Sequence, residues 1–318
     1  MSDVVILRPE NREAWLQARA GGIGSSEVAT ILGVNQYETP YQLWRRKLGI
    51  DPPKKENTAM RAGHYLEDAV AKFFEYETGS YIIKRSAIDW IAYDSEKPYL
   101  RVSPDRTFWR KGEQKSEWNK SILECKTTIM PVSEDDIPMN WFCQLQYQLG
   151  VTRMEHGALA WLVGGREFGY KHYTLDKDFY AYMEEEVTRF WVDNIQGKQD
   201  PGDINVDDVL LRNPRHAEGK TIIADDDIAA TLTELKELKS ELAACDMRKK
   251  QLEDKLKLAM GDAESITGAV GGKRVILATW KAAKDTAKFD KDKFAHEHPD
   301  IYKQYTFKQP GSRRFLIK

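Results

Sequence analysis

The feature that most constrains the fold is a change from helical to strand-like sequence patterns at residue 80. Before it, helical segments separated by glycine and proline end in a long predicted helix, Thr58–Thr78. After it come short runs rich in β-branched and aromatic residues, at 81–93, 99–109 and 121–128. Further helices are predicted at 140–149 and 176–196, with strands at 156–163 and 168–173. Helices on both sides of a block of strands predict an α/β fold with a central mixed β-sheet.

The rest of the chain differs from this α/β part. We predict four segments: a core domain 1–197, a linker 198–225, a long helix 226–262 and a small basic unit 263–318. Leucines at heptad spacing make the long helix a possible coiled coil, although packing within the same chain explains them equally well. In the last unit, strands are predicted near Lys273–Trp280 and Arg314–Ile317.

The charge of the chain is unevenly distributed. The totals, 48 basic and 50 acidic residues with a net charge of -2, argue weakly against nucleic-acid binding. Residues 270–318, however, carry about +7, which leaves about -9 for the remainder. The basic end, with its interleaved aromatic residues, could meet DNA phosphates, or those residues could form the unit's own core.

Hydropathy and cysteine content exclude several classes of protein. The mean hydropathy is -0.61, and no long apolar run or secretory signal is visible, so we expect a cytoplasmic protein without a membrane span. Cys125, Cys143 and Cys245 are too few and too scattered for a disulfide framework or an iron–sulfur cluster.

The most informative local pattern is Ser103-Pro104-Asp105 followed by Leu123-Glu124-Cys125-Lys126. Asp105 ends one predicted strand, and Glu124 and Lys126 lie two apart on the next, so both face the same side of the sheet. Two carboxylates at strand ends can hold Mg²⁺, and the lysine could orient or deprotonate a metal-bound water. Taken alone, the pattern is more typical of a surface salt bridge between Glu124 and Lys126.

Three other groups add to this pattern. Glu67 on the long helix could supply a third carboxylate. Arg19 and Ser26 bracket a glycine-rich turn at a helix N-terminus, which is a favourable phosphate site. Gln144 and Gln148 share one helical face, although glutamines there are usually just the hydrated side of a helix.

Five stretches in this order resemble a known family. They are Arg19–Val28, Gly63–Glu67, Ser103–Asp105, Leu123–Lys126 and Trp141–Thr152. The chain is similar to the YqaJ-type viral recombinases, the phage alkaline exonucleases of the lambda exonuclease type, within the PD-(D/E)xK nuclease superfamily. The resemblance covers about half of the chain and implies a restriction-endonuclease-like core.

The resemblance implies a metal site. Asp105, Glu124 and the backbone carbonyl of Cys125 would ligate Mg²⁺, with Mn²⁺ able to substitute. Glu67 would complete the site, towards a second metal ion.

The resemblance also implies roles around the metal. Lys126 would position the attacking water, and Gln144 would orient that lysine or the water. Arg19 and Ser26 would hold the 5′ phosphate of the strand being cut. One departure is Arg106 directly after Asp105, where family members commonly have glycine; we expect it to alter the turn and not the ligand.

The implied function is a Mg²⁺-dependent deoxyribonuclease that digests double-stranded DNA ends 5′ to 3′ and leaves 3′ single strands for phage-type recombination. An endonuclease on the same core and a catalytically weak DNA-binding scaffold are the alternatives. The implied partners are double-stranded DNA, a single-strand annealing protein and further copies of the chain, as a trimer. The setting would be the cytoplasm of a bacterial host, for a phage or prophage protein.

Overall fold

The computed structural model describes residues 3–52, 57–79, 81–84, 90–110, 112, 116, 119–202, 204–309 and 311–317. Residues 85–89 of the first predicted β-rich run lie outside the described residues. The chain divides into two compact units, Met1–Arg212 and Asn213–Lys318. We describe each unit by itself.

In its described residues, the first unit begins with two short strands and four helices, and capping residues in the sequence mark several of the helix ends. The elements are β1 Val4–Leu7, α1 Arg12–Ala20, β2 Ile23–Gly24, α2 Ser25–Ile31, α3 Pro40–Lys47 and α4 Thr58–Thr78. Asn11 caps α1 by accepting from the N–H of Ala14, and Thr39 caps α3 just before its Pro40. Gly79 ends α4 in the left-handed conformation, with φ of +56°.

The remaining strands of this unit form two sheets with β1 and β2. They are β3 Tyr81–Lys84, β4 Ile91–Asp94, β5 Leu100–Val102, β6 Arg106–Arg110, β7 Ser121–Thr128, β8 His156–Val163 and β9 Glu167–Thr174. One sheet has the order β3-β6-β7-β8-β9, in which only β7 and β8 are parallel. The other has the order β1-β4-β5-β2, with β2 and β5 parallel. The α/β class with mixed sheets is therefore confirmed, with two sheets where we expected one.

The central strand β7 separates two apolar layers. Leu123 packs with Phe74 and other residues of α4 on one face. Ile122 packs on the other face with Leu145 and Leu149 of α5, which spans Met139–Thr152. Because neighbouring strand residues point to opposite faces, β7 presents odd positions to α4 and even positions to α5.

The unit closes with helices that follow the sheet. These are α6 Lys177–Arg189, its π-helical continuation Phe190–Gln196, and α7 Val206–Arg212. Asp208 of α7 is fully buried, accepting from Thr39 Oγ1 at 2.7 Å and from the N–H of Ile204 at 3.0 Å. The first part of the predicted linker 198–225 thus packs as part of the first unit, up to Arg212.

The second unit contains α8 Asp226–Met260, β10 Ser265–Val270, β11 Lys273–Thr279, α9 Lys291–Glu297 and α10 Pro299–Gln304. The helix α8 begins at the predicted residue, is capped by Asp225 and ends two residues before the predicted 262, and its Leu242 and Leu256 are exposed. Phe289 contacts Phe294, with ring centroids 5.0 Å apart, and Lys291 lies over Tyr302. Phe289 and Phe294 thus contact each other, but Phe289 and Phe307 are 71% and 82% exposed, so they are not part of a buried core.

One strand prediction in the second unit is wrong. Arg314–Ile317 has no regular structure, and the partner of β11 is β10, which precedes it in the sequence. Gly271 and Gly272, with φ of +56° and +75°, form the two-residue turn that joins them. Two consecutive residues at positive φ match the twist of a tight hairpin, so the local pairing is favoured over a distant one.

Among the residues that the structure describes, no helix is both long and apolar enough to cross a membrane.

We predict that Asp208→Ala lowers the free energy of unfolding of the first unit by about 1–3 kcal/mol, because it leaves a buried hydroxyl and a backbone N–H without their acceptor. Urea unfolding measures the change. Asp207→Ala, at the exposed neighbouring position, is the matched control. Equal stability of the two variants would contradict the role of Asp208.

Candidate active site

Glu124 and Lys126 of β7 point towards α5 and meet Gln144. Lys126 Nζ donates to Glu124 Oε1 and to Gln144 Oε1, both at 2.7 Å. Gln144 Nε2 also donates to Glu124 Oε1, which closes a triangle of hydrogen bonds. Glu124 is 1% exposed, so this network holds a buried carboxylate in one orientation.

Gln148, one helical turn after Gln144, holds the second oxygen of the same carboxylate. Its Nε2 donates to Glu124 Oε2 at 2.9 Å and to Ser25 Oγ at 3.2 Å. The sequence suggested that Gln148 lies on the hydrated side of its helix. In the structure, however, its side chain is fully buried. It connects the carboxylate to the start of α2, where Ser25 and Ser26 lie.

Asp105 lies beside this network because β6 and β7 are antiparallel neighbours, with Arg106 opposite Leu123. Its Oδ2 accepts from the N–H of Cys125 at 2.8 Å. Burial, and then the charges of Glu124 and Glu67, raise the pKa of Asp105 well above its ordinary value, although Lys126 acts in the opposite sense. A cation beside Asp105 would relieve this repulsion.

Lys126 is a charged hydrogen-bond donor. Burial by itself lowers the pKa of Lys126, but the nearby charges of Glu124 and Asp105 outweigh it, and the net shift is upward. This state favours orienting a water molecule over removing a proton from it.

Glu67 of α4 is held by Arg106. Arg106 forms ion pairs with Glu67 and with Asp68, the latter at 2.8 Å, and its NH1 donates to the backbone oxygen of Asp105 at 2.6 Å. Arg106 therefore contacts the third predicted carboxylate in addition to the turn, and the expectation that it leaves the ligand set unchanged stays a prediction. The helix α4 packs on the face of β7 opposite to Glu124, which explains why the two glutamates are not held together.

Arg19 and Ser26 form the other end of the site. Arg19 NH2 donates to Ser26 Oγ at 2.8 Å. The glycine-rich turn between them is fixed by the buried Glu27, whose Oε2 accepts from the N–H of Gly24 at 2.9 Å and from Lys47 Nζ at 2.7 Å. Burial raises the pKa of Glu27, but Lys47 and then Arg46 outweigh this effect, and the net shift is downward. The turn is thus held by a charged carboxylate.

A cavity of about 200 Å³ joins the two ends. The predicted site residues that line it are Arg19, Ser26, Glu67, Asp105 and Gln144. Arg12, Trp15 and His64 also line it, and the Arg12 and Arg19 guanidinium carbons lie 4.3 and 5.1 Å from the centre of the Trp15 indole. A cavity with cations at one end and carboxylates at the other suits a phosphate that lies next to a bound metal ion.

The sequence alone did not assign a role in the site to three contributors, Gln148, Glu27 and Arg106. Gln148 carried a signal, since it lies four residues after Gln144 on the same helical face. The roles of Glu27 and Arg106 were harder to predict from the sequence, because their partners Lys47 and Glu67 are distant in the sequence.

The donor set fits one divalent cation. Asp105 and Glu124 present hard oxygen ligands, and Mg²⁺ is usually bound through one or two protein carboxylates together with water. Within the described ranges, no three His, Cys, Asp or Glu side chains are grouped as a ready metal site. The proposed role of the Cys125 carbonyl stays a prediction.

Comparison with known proteins identifies the family. The profile of the YqaJ-like viral recombinase domain matches residues 14–155. The uncharacterized protein YqaJ of Bacillus subtilis (strain 168) is 31% identical over 321 residues, an alignment that covers 97% of this chain and 94% of that protein. The chain belongs to the YqaJ-like viral recombinase family, as the sequence motifs predicted.

Two solved structures show a weaker similarity. The alkaline exonuclease LHK-Exo from Laribacter hongkongensis has a TM-score of 0.42 at 18% identity, covering 58% of this chain and 93% of that one. A phage-related exonuclease from Haemophilus somnus 129PT has a TM-score of 0.39 at 9% identity, covering 56% and 96%.

We predict that Gly22→Ala destabilises the first unit by about 1–3 kcal/mol, since overpacking forces backbone shifts. A Cβ atom at Gly22 would lie 2.4 Å from the backbone oxygen of Tyr99. Gly24→Ala is the control, because its nearest neighbour would be Arg19 Nε at 3.5 Å. Thermal unfolding compares the two, and equal melting temperatures would show that the turn has room to move.

Proposed function

We propose that this chain is a Mg²⁺-dependent deoxyribonuclease that digests double-stranded DNA from its ends, 5′ to 3′, and leaves 3′ single strands for recombination. The observation that best supports this proposal is that two groups of predicted site residues lie in one site. Asp105 lines the same cavity as Arg19 and Ser26, and the charges of Glu124 and Lys126 act on the Asp105 carboxylate. Membership of a viral recombinase family agrees with a role in recombination.

Asp105 and Glu124 would hold the metal ion, which when bound would stabilise negative charge on the scissile phosphate and supply a reactive water. Lys126, fixed by Gln144, would donate a hydrogen bond that orients this water. Gln148 would keep Glu124 in its binding orientation.

Arg19 and Ser26 would bind the terminal phosphate of the strand being cut. A phosphate at the start of α2 would meet an arginine, a hydroxyl and the free backbone N–H groups of the helix. Binding at an end would set which phosphodiester reaches Asp105, and this geometry favours an exonuclease over an endonuclease.

The setting follows from the same proposal. We propose double-stranded DNA as the substrate, and a single-strand annealing protein as the partner that receives the 3′ strand. Action in the cytoplasm of a bacterial host, as a phage or prophage protein, agrees with the family. Self-association, as a trimer, stays a prediction.

We predict that Lys126→Ala lowers Mg²⁺-dependent cleavage of linear duplex DNA at least 100-fold, because the loss of one preorganised hydrogen-bond donor at a reacting centre costs about 10²–10³-fold. Asp105→Ala should have at least as large an effect. Lys72→Ala, at an exposed position of α4, is the matched control for lost charge. Folding is checked by circular dichroism. Folded variants that keep more than a tenth of the wild-type rate would remove Lys126 and Asp105 from the proposed site.

A second experiment tests direction and the need for an end. Linear duplexes labelled at either end, with and without a 5′ phosphate, are digested with Mg²⁺ beside a covalently closed circle. We expect early release of the 5′ label, faster digestion of phosphorylated ends, survival of the complementary strand and an intact circle. Degradation of the circle would favour an endonuclease, and no cleavage of any substrate would favour the scaffold alternative.

A further inference from the structure

Arg106 is the most highly connected cation beside the proposed metal site. Its NH1 pairs with Glu67 Oε1 and donates to the backbone oxygen of Asp105, and its NH2 pairs with Asp68 Oδ1 at 2.8 Å. Only 13% of its side chain is exposed. A guanidinium held by several charge-assisted hydrogen bonds has a defined position and does not sample solvent freely.

The Arg106 guanidinium contacts two of the predicted site residues, Glu67 and Asp105. Glu67 and Asp105 both line the cavity, and the charge of each affects the other. Arg106 NH1 reaches the Glu67 carboxylate and the main chain of Asp105 at the same time. The positive charge that a cation would bring to Glu67 is therefore already supplied by the protein.

Apart from Glu67, the predicted carboxylate ligands are Asp105 and Glu124, and together they suit one cation. Glu124 faces α5, and Asp105 is held to β7 by the N–H of Cys125. Glu67 belongs to α4, which packs on the opposite face of β7, and its carboxylate is paired with Arg106. Across the described part of the chain, no group of three acidic, histidine or cysteine side chains is arranged to hold a metal.

We infer that Arg106 takes the place of a second metal ion at Glu67, so that the site binds one divalent cation. Glu67 then serves as the partner of Arg106 and is not a metal ligand. The inference rests on the proposed function, in which Asp105 and Glu124 hold the first metal.

A purely structural ion pair is the competing explanation, since Arg106 also connects α4 to β6. The two explanations differ in what they predict for metal binding. A structural pair affects the melting temperature and leaves the number of bound metal ions unchanged. A pair that replaces a metal ion controls that number.

The test counts Mn²⁺ ions bound to the metal-free full-length protein without DNA, by calorimetric titration and by electron paramagnetic resonance of free Mn²⁺. We expect one ion for the wild type and none at the same concentrations for Asp105→Asn. Arg106→Gly should bind two ions, and Glu67→Gln in that background should restore one. Arg106→Lys, which keeps the charge, should bind one.

Glu67→Gln alone tests the inference even if Arg106→Gly does not fold. Because Glu67 is not a ligand, this variant should bind one Mn²⁺ with an affinity within threefold of the wild type. Arg61→Gln, at an exposed position of the same helix, is the control for a lost arginine.

Several results would overturn the inference. They are two ions on the wild type, one ion on folded Arg106→Gly, or a tenfold loss of Mn²⁺ affinity in Glu67→Gln. Failure of the proposed function looks different. In that case the wild type binds no Mn²⁺, or Asp105→Asn binds it as well as the wild type does.

Discussion

The arrangement of the site depends on one buried amide, the Gln148 side chain. Its Nε2 donates to both the Glu124 carboxylate and the Ser25 hydroxyl, and thereby links the central strand β7 to the first turn of α2. A buried polar group without a partner is costly, so this network favours a single arrangement of helix, strand and loop. The carboxylate end and the cationic end of the cavity are therefore held in a fixed relation.

Charge balance explains the other features of the site. Glu124 is paired with Lys126, Glu67 with Arg106 and Glu27 with Lys47. Asp105 is held by a backbone N–H instead of a cation, and its pKa is raised by burial and by the neighbouring carboxylates. A metal ion bound beside Asp105 would be stabilised by this carboxylate and by the neighbouring charges of Glu124 and Glu67.

Local sequence patterns predicted most of the elements, because periodicity and capping residues act over a few positions. The bounds of α4 and α8 follow from this, as does the shared face of Glu124 and Lys126. Features that depend on distant partners were not predictable in the same way. The division into two sheets, the burial of Asp208 and the pairing of Arg106 with Glu67 join segments far apart in the chain.

The most direct test of the account is the cleavage rate of Gln148→Met, which keeps a side chain of similar length and removes the amide that donates both hydrogen bonds. At saturating Mg²⁺ on a 5′-phosphorylated linear duplex, we expect a rate about 10–100-fold below the wild type, the effect of losing about 1.4–2.8 kcal/mol of transition-state stabilisation. A folded Gln148→Met protein that cleaves within twofold of the wild-type rate would contradict the account.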